Sequence, residues 1–406
     1  MFFTNKKNDH ITTEGFNEVL ERGVDRIIVE EHLKNELESG RKLRIKFGID
    51  PTSPNIHLGR SVPLLKLRDF QKLGHTIIFI VGDFTGVIGD TSDKESERPQ
   101  LTHKQIEENR KTYFKQAGKI LNLRKTERYL NSKWLRKLTY QEICEQTNQF
   151  SVADFIARDN IKKRLRGGTR VSLRETLYPV MQGYDSVVVR ADVEIGGTDQ
   201  WFNLLSGRKL QEHYNQRPQN ILTTPILEGL DGRKMSSSWG NDVNINDAPD
   251  NMYGKIMSIK DDLIISYLTL CTRVPLKEIQ KIRQGLLEGS LHHKDAKSNL
   301  AREIVEMYHG NKKSNKAEKS FKEAFHDGTM PEEGLKILVK KGTLLINALV
   351  EAGVVRSKND YRRLIESGAI TVISTREKIS DIKHQVDNNT DLRVGKKRFV
   401  RIRVKT

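Results

Sequence analysis

Two short apolar runs, separated by a segment of helix length, constrain this chain more than any other feature. Arg44 to Ile49 (RIKFGI) and Thr76 to Val81 (TIIFIV) read as buried strands, and Leu58 to Leu73 between them reads as a helix closed by Gly74. Parallel neighbours need such a crossover, because a tight turn joins only antiparallel strands. This βαβ unit predicts an α/β fold, a Rossmann-like doubly wound parallel sheet with its ligand crevice beyond the carboxyl ends of the strands. Chemistry is expected just after Ile49 and Val81, and both places are rich in Gly, Asp and Thr.

Downstream, Thr102 and Gln105 form a capping-box pattern that opens a helical stretch from Leu101 to about Asn122, with Ile106, Tyr113, Phe114, Ala117 and Ile120 near one face. Ser186 to Ile195 (SVVVRADVEI) reads as a third strand. It ends in Gly196-Gly197-Thr198-Asp199-Gln200, where a long helix begins. A polar, loop-like stretch runs from Arg233 to Asp250. The chain of 406 residues exceeds one ordinary domain. We expect a sheet domain over 1–240 with a helical insertion at about 101–170, an all-α module over 241–341, and a small α+β domain over 343–406.

Lys and Arg outnumber Asp and Glu by 70 to 53, a net charge of +17, which favours a polyanionic partner. The last segment, 343–406, holds 14 basic against 7 acidic residues, so it carries 7 of those 17 charges. No apolar run approaches the roughly 20 residues needed to span a bilayer, and the start (MFFTNKKNDH) lacks the pattern of a secretion signal. Cys144 and Cys271 have no metal-ligand spacing, and the histidines do not cluster as zinc ligands do. The expectation is a cytoplasmic protein with no protein-bound metal and no membrane partner, its thiols serving as packing residues.

The sharpest motifs are His57-Leu58-Gly59-Arg60 after the first strand and Lys234-Met235-Ser236-Ser237-Ser238 far downstream. A nucleotide at the end of such a sheet needs a helix start that backbone can approach closely, which Gly59 permits, with an imidazole beside the phosphates. It also needs a mobile cation. Lys234, on a loop beside Gly232 and serines, can swing onto the phosphates and neutralise charge developing on departing pyrophosphate. Either motif alone reads equally well as a helix cap or a solvated loop.

Together the two motifs resemble the HIGH and KMSKS signatures of class I aminoacyl-tRNA synthetases. Three blocks between them, Thr85 to Asp90 (TGVIGD), Tyr178 to Asp185 (YPVMQGYD) and Gly196 to Gln200 (GGTDQ), are similar to those of the bacterial tyrosyl branch. The basic last segment resembles the S4 RNA-binding domain that ends those enzymes. The resemblance implies activation of L-tyrosine by ATP, which enters with Mg2+, then transfer to tRNA(Tyr) by a homodimer whose contact lies in the helical insertion. It places Thr52, His57, Arg60, Lys234 and Ser237 in catalysis. Gly48, Asp50, Gly59, Gly196, Gly197, Asp199 and Met235 join His57 and Lys234 around ATP.

For tyrosine, the resemblance implies Asp90, Tyr178 and Gln182 around the ammonium and Gln200 near the carboxylate, with Lys46 and Thr85 also in the pocket. Asp185 accepts the phenolic proton. A phenylalanine bound there leaves that buried carboxylate unpaired, which is a physical basis for rejecting it. Arg356, Lys358, Arg362 and Arg363 recur at roughly helical spacing, and Lys396, Lys397 and Arg398 lie in the basic tail, so these are the candidate RNA contacts.

The chain departs from the family at three positions. Arg60 replaces the second signature histidine, Ser237 replaces the second loop lysine, and Lys46 stands where many tyrosyl enzymes carry a tyrosine. Two other readings remain open on sequence: a tryptophanyl synthetase, which would lack the S4-like tail, and an RNA-binding paralogue without catalysis.

Overall fold

The computed structural model describes residues 18–92, 101–326, 335–355, 357–375, 377–395 and 398–405. Three candidate RNA contacts, Arg356, Lys396 and Lys397, lie outside the described residues. The chain forms two compact units, Met1–Asp247 with Ser258–Leu300, and Ala248–Met257 with Ala301–Thr406.

The first unit is built on six strands, β1 (Arg26–Ile28), β2 (Arg44–Ile49), β3 (Thr76–Val81), β4 (Thr126–Leu130), β5 (Val193–Gly197) and β6 (Asn220–Thr224), in the order β1-β6-β5-β2-β3-β4. Strands β2 to β6 run parallel, and β1 pairs antiparallel with β6 at the edge. The predicted βαβ unit is present: β2 and β3 pair from Arg44 opposite Thr76 to Ile49 opposite Val81. Helix α1 (Leu58–Lys72) makes the crossover and stops at Gly74, whose φ of 91° favours glycine. Both faces of the sheet are covered, so β3 is a continuous apolar run with Ile77 to Val81 wholly buried, each side chain contributing about 1.5–3 kcal/mol. The order reverses at β2, whose neighbours are β3 on one side and β5 on the other, so the crevice opens there.

Two helical expectations change. The stretch 101–122 is not one helix but two, His103–Arg110 with its capping box and Tyr113–Ala117, parted at Lys111 and Thr112. The break is held from outside: the Tyr113 hydroxyl donates to the Ser53 carbonyl and Thr112 to that of Pro54. Nor is Ser186 to Ile195 one strand. Helix α2 (Leu173–Val189) runs through Val187, Val188 and Val189 and ends at Arg190 in the left-handed region, and the strand begins only at Val193. Packing overrides β-propensity here: α2 lies against α3 (Trp201–His213), and a Cβ on Gly183 would sit 2.9 Å from the Ser206 carbonyl oxygen.

In the second unit, Tyr253 of the helix Pro249–Met257 packs on Phe321 of the helix Asn311–His326. A strand, β7 (Leu335–Lys340), falls in a stretch that reads as helical. Strands β8 (Thr343–Leu344) and β10 (Gln385–Val386) form an antiparallel pair of their own, while β7 pairs parallel with β12 (Arg398–Lys405) in a second sheet that continues through β11 (Thr390–Val394) to β9 (Ile370–Val372). The helices Leu345–Glu351 and Lys358–Glu366 cover its core, which includes Leu345, Leu349, Tyr361, Ile370, Val400 and Ile402. Of the two thiols, Cys271 packs in the interior while Cys144 is exposed, contrary to the packing role expected of both. Among the described residues, no helix is long and apolar enough to cross a membrane.

Candidate functional site

Strands β2, β3 and β5 deliver their following residues into one cleft at the carboxyl edge of the sheet. Its wall includes Gly48, Asp50, Thr52, His57, Gly59, Arg60, Thr85, Asp90, Tyr178, Gln182, Asp185, Gly196, Gly197, Asp199, Gln200, Lys234 and Met235. Sequence analysis names each of these. Two other candidates lie elsewhere: Lys46 is wholly buried behind the wall, and Ser237 is exposed, with its hydroxyl donating to Asp242.

The mouth of α1 is built by its own motif. His57 is the N-cap, and its Nδ1 accepts from the Arg60 N–H at 3.3 Å, so the ring proton resides on Nε2. Burial, with Arg60 and Lys234 nearby, holds the imidazole pKa well below its usual value. The ring is therefore a neutral donor at neutral pH. Gly59 N–H donates to Met235 Sδ at 3.3 Å, which joins the two signature motifs across 176 residues of sequence. A Cβ on Gly59 would stand 3.1 Å from His57 Nδ1 and 3.5 Å from Met235 Cβ, so side-chain-free backbone suits this junction.

Two cations serve this end of the cleft. The Arg60 guanidinium reaches Thr52 Oγ1 at 2.6 Å and the Tyr113 hydroxyl at 2.9 Å, with Ser53 Oγ at 3.4 Å. Lys234 Nζ lies 2.8 Å from Asp199 Oδ2. Two cations, a neutral imidazole donor and a helix start make this end suited to a polyphosphate.

The middle of the cleft is acidic. Asp50 accepts from Thr85 Oγ1 at 2.7 Å and from the Tyr178 hydroxyl at 2.9 Å. Burial and the neighbouring Asp50 push the Tyr178 phenol well above its ordinary pKa, so it remains a protonated donor. Asp90 is held by the Ser92 backbone N–H at 2.9 Å and hydroxyl at 2.6 Å and by Gln200 Nε2 at 2.7 Å. A cationic ammonium fits this cluster of carboxylates and oxygen acceptors. Asp50, assigned to the nucleotide, thus bonds two residues assigned to the amino acid.

Asp185 lies further in, 4% exposed, with Trp134 Nε1 donating to Oδ1 at 2.7 Å and Asn131 Nδ2 to Oδ2 at 3.3 Å. Desolvation raises its pKa to about 7, against the opposing pull of Lys46, Trp134 and Asn131. Sequence analysis gives a site role to neither Asn131 nor Trp134. Both follow β4 at its carboxyl end, the place where the fold puts chemistry, but the polar five-residue run TERYL does not read as a strand. Among the described residues, no group of three or more His, Cys, Asp or Glu could hold a metal ion.

In the second unit, Lys358, Arg362 and Arg363 lie exposed on one helix. Arg363 pairs with Asp360 at 3.3 Å, and Arg398 on β12 donates to the Val354 carbonyl.

Residues 38–326 match the family model described as tRNA synthetases class I (W and Y). The chain is 42% identical to the tyrosine–tRNA ligase of Thermotoga maritima over 97% of its own length and 98% of that protein's. It is 45% identical to that of Moorella thermoacetica, over 95% and 94%. In structure it is similar to a C-terminally truncated mitochondrial tyrosyl-tRNA synthetase of Aspergillus nidulans, with a TM-score of 0.64 and 21% identity, covering 77% of this chain and 94% of that one. With near-complete coverage of these bacterial relatives, and a cleft that gathers both signature motifs at the switch point of a parallel sheet, the chain belongs to the class I tyrosyl-tRNA synthetases.

Proposed function

We propose that the chain is a tyrosine–tRNA ligase that activates L-tyrosine with ATP and passes it to the terminal adenosine of tRNA(Tyr). The observation that carries the reading is Asp185: a buried carboxylate on the wall of an elongated polar cleft, held by Trp134 and Asn131, is suited to accept a phenolic proton. Phenylalanine would cover it without supplying the phenolic donor, leaving it only the Trp134 and Asn131 bonds. Asp90, Tyr178 and Gln182 take the ammonium and Gln200 lies by the carboxylate, while Thr85 and Asp50 support Tyr178 and the cleft floor.

ATP enters as its Mg2+ complex, with its adenosine beside Gly196 and Gly197, its ribose on Asp199 and its phosphates at His57, Gly59, Arg60 and Lys234. The tyrosine carboxylate attacks the α-phosphorus, and pyrophosphate leaves. Both nucleophiles belong to substrates, so the protein contributes positioning and charge stabilisation. His57 Nε2–H, Arg60 and Lys234 meet the charge that grows on the phosphates, and Thr52 is fixed by Arg60 at 2.6 Å. The 3′-terminal hydroxyl of tRNA then takes the tyrosyl group and releases AMP.

The chain works as a cytoplasmic homodimer. Tyr140, Val152 and Leu173 are 84%, 73% and 80% exposed, and these large apolar side chains around the helical insertion support a self-association surface. The S4-like sheet and its basic helix, with Lys358, Arg362 and Arg363, bind tRNA phosphates. Tyrosine-dependent exchange of labelled pyrophosphate into ATP tests the reading beside tryptophan and phenylalanine. Exchange with tyrosine alone is expected. Exchange with tryptophan, or none with any amino acid, would refute it.

A further inference from the structure

Behind the cleft wall lies an ion pair buried from solvent. Lys46 on β2 and Glu194 on β5 are cross-strand partners, 0% and 1% exposed, with Nζ 2.9 Å from Oε1. Such a pair is usually no more stabilising than apolar residues of equal volume, so its presence asks for another role. Its hydrogen bonds indicate one. Glu194 accepts from Lys46 and from Gln182 Nε2, at 3.0 Å, on one oxygen, and from Ser186 Oγ at 2.9 Å and Gln219 Nε2 at 2.6 Å on the other. Lys46 also donates to Ser186 Oγ at 2.7 Å and to the Gln182 main-chain carbonyl at 2.9 Å.

We propose that the Lys46–Glu194 pair is a positioning device that fixes the orientation of the Gln182 amide, so that this side chain presents its carbonyl oxygen to the substrate ammonium. The chemistry of the partners decides the orientation. A carboxylate only accepts, so Gln182 turns its NH2 toward Glu194, and Oε1 is left for the cleft that Gln182 lines. An ammonium only donates, so the opposite orientation would face donor with donor. Lys46 balances the Glu194 charge and clamps the Gln182 backbone at the same time. An amide at 194 could offer either group, and the orientation would no longer be imposed.

The inference rests on Gln182 meeting the ammonium, and two probes separate the claims. Tyramine keeps the ammonium and lacks the carboxylate; 3-(4-hydroxyphenyl)propanoate keeps the carboxylate and lacks the ammonium. Both are measured as competitive inhibitors of tyrosine-dependent pyrophosphate exchange by the full chain. In the double variant Lys46→Met, Glu194→Gln, which leaves no lone buried charge, tyramine should bind about 10- to 100-fold more weakly, the scale of a lost hydrogen bond to a charged group. The propanoate should bind within about twofold of the parent chain, because its contacts do not involve the oriented amide. Glu194→Asp, which keeps the charge but withdraws the acceptor, should show the same selectivity and serves if the double variant does not fold. Equal weakening of both probes, or weakening of neither, overturns the proposal. Gln182→Ala is the control: if it lacks selectivity for tyramine, the ammonium assignment itself fails, whereas selectivity there without selectivity in the pair variants defeats the positioning role alone.

Discussion

The indole N–H of Trp134 stands 2.7 Å from Asp185 Oδ1 in a pocket that leaves that residue 4% exposed. Burial has lifted the carboxyl to about 7, and the indole is among the groups that restrain it. The free enzyme's kcat/KM for tyrosine should therefore rise with pH along a limb centred near 7. Trp134→Phe should move that limb upward, and Asp185→Asn should remove it while lowering activity with tyrosine. Pyrophosphate exchange from pH 5.5 to 8.5 reads all three, about one decade of activity per pH unit on the acidic side.

Stability follows the same group with a definite sign. The folded state keeps a proton on Asp185 up to about 7, whereas the unfolded chain sheds it near the ordinary value of 3.8. The folded state binds more protons in that interval, so this group's contribution to stability falls as pH rises through it and levels off above. Thermal unfolding measured across the interval should show a flatter profile for Asp185→Asn than for the parent chain.

Lys234 Nζ stands 2.8 Å from the carboxylate of Asp199, the residue proposed above for the ribose. Lys234→Ala should slow adenylate formation by about 10²- to 10³-fold, the scale of losing one transition-state electrostatic contact. Tyrosine affinity by equilibrium dialysis should stay near the parent value, since Asp185 and the ammonium contacts remain. Asp199→Ala should instead raise the KM for ATP.

Arg60 spends its fork on Thr52 Oγ1 and the Tyr113 hydroxyl. Lysine keeps the charge and loses the planar geometry, so Arg60→Lys should cost about tenfold or more in kcat for exchange, unlike a neutral conservative change. Tyr113→Phe should lose less, because Thr52 still meets the guanidinium.

For the second unit, Arg362→Ala with Lys358→Ala should weaken tRNA charging and lower the salt dependence of tRNA binding by about one to two units of slope. Tyrosine-dependent exchange should be unchanged.

Much of the site was legible because its residues follow strands that announce themselves. RIKFGI and TIIFIV are apolar enough to read as buried, and the crossover rule then aims Asp50, His57 and Thr85 at one edge. What escaped had opposing local signals. Val187 to Val189 are good strand formers held in a helix by packing against α3, while Thr126–Leu130 is a polar strand whose pairing partner β3 supplies the apolar context. Without that strand Asn131 and Trp134 could not be placed. The resemblance brought Lys46 into the pocket by position, but charge pairing with a neighbouring strand decides where its ammonium goes, and Glu194 carries no motif of its own.

The contact between Gly59 N–H and Met235 Sδ joins the loop bearing Lys234 to the start of α1. Sulfur is a feeble acceptor, so this bond by itself holds the two motifs together only weakly. The firmer anchorage is the backbone: the Met235 N–H donates to the Leu227 carbonyl at 2.9 Å and its side chain is 2% exposed, so the segment joining the two signature motifs is packed into the cleft wall rather than tethered by the thioether alone.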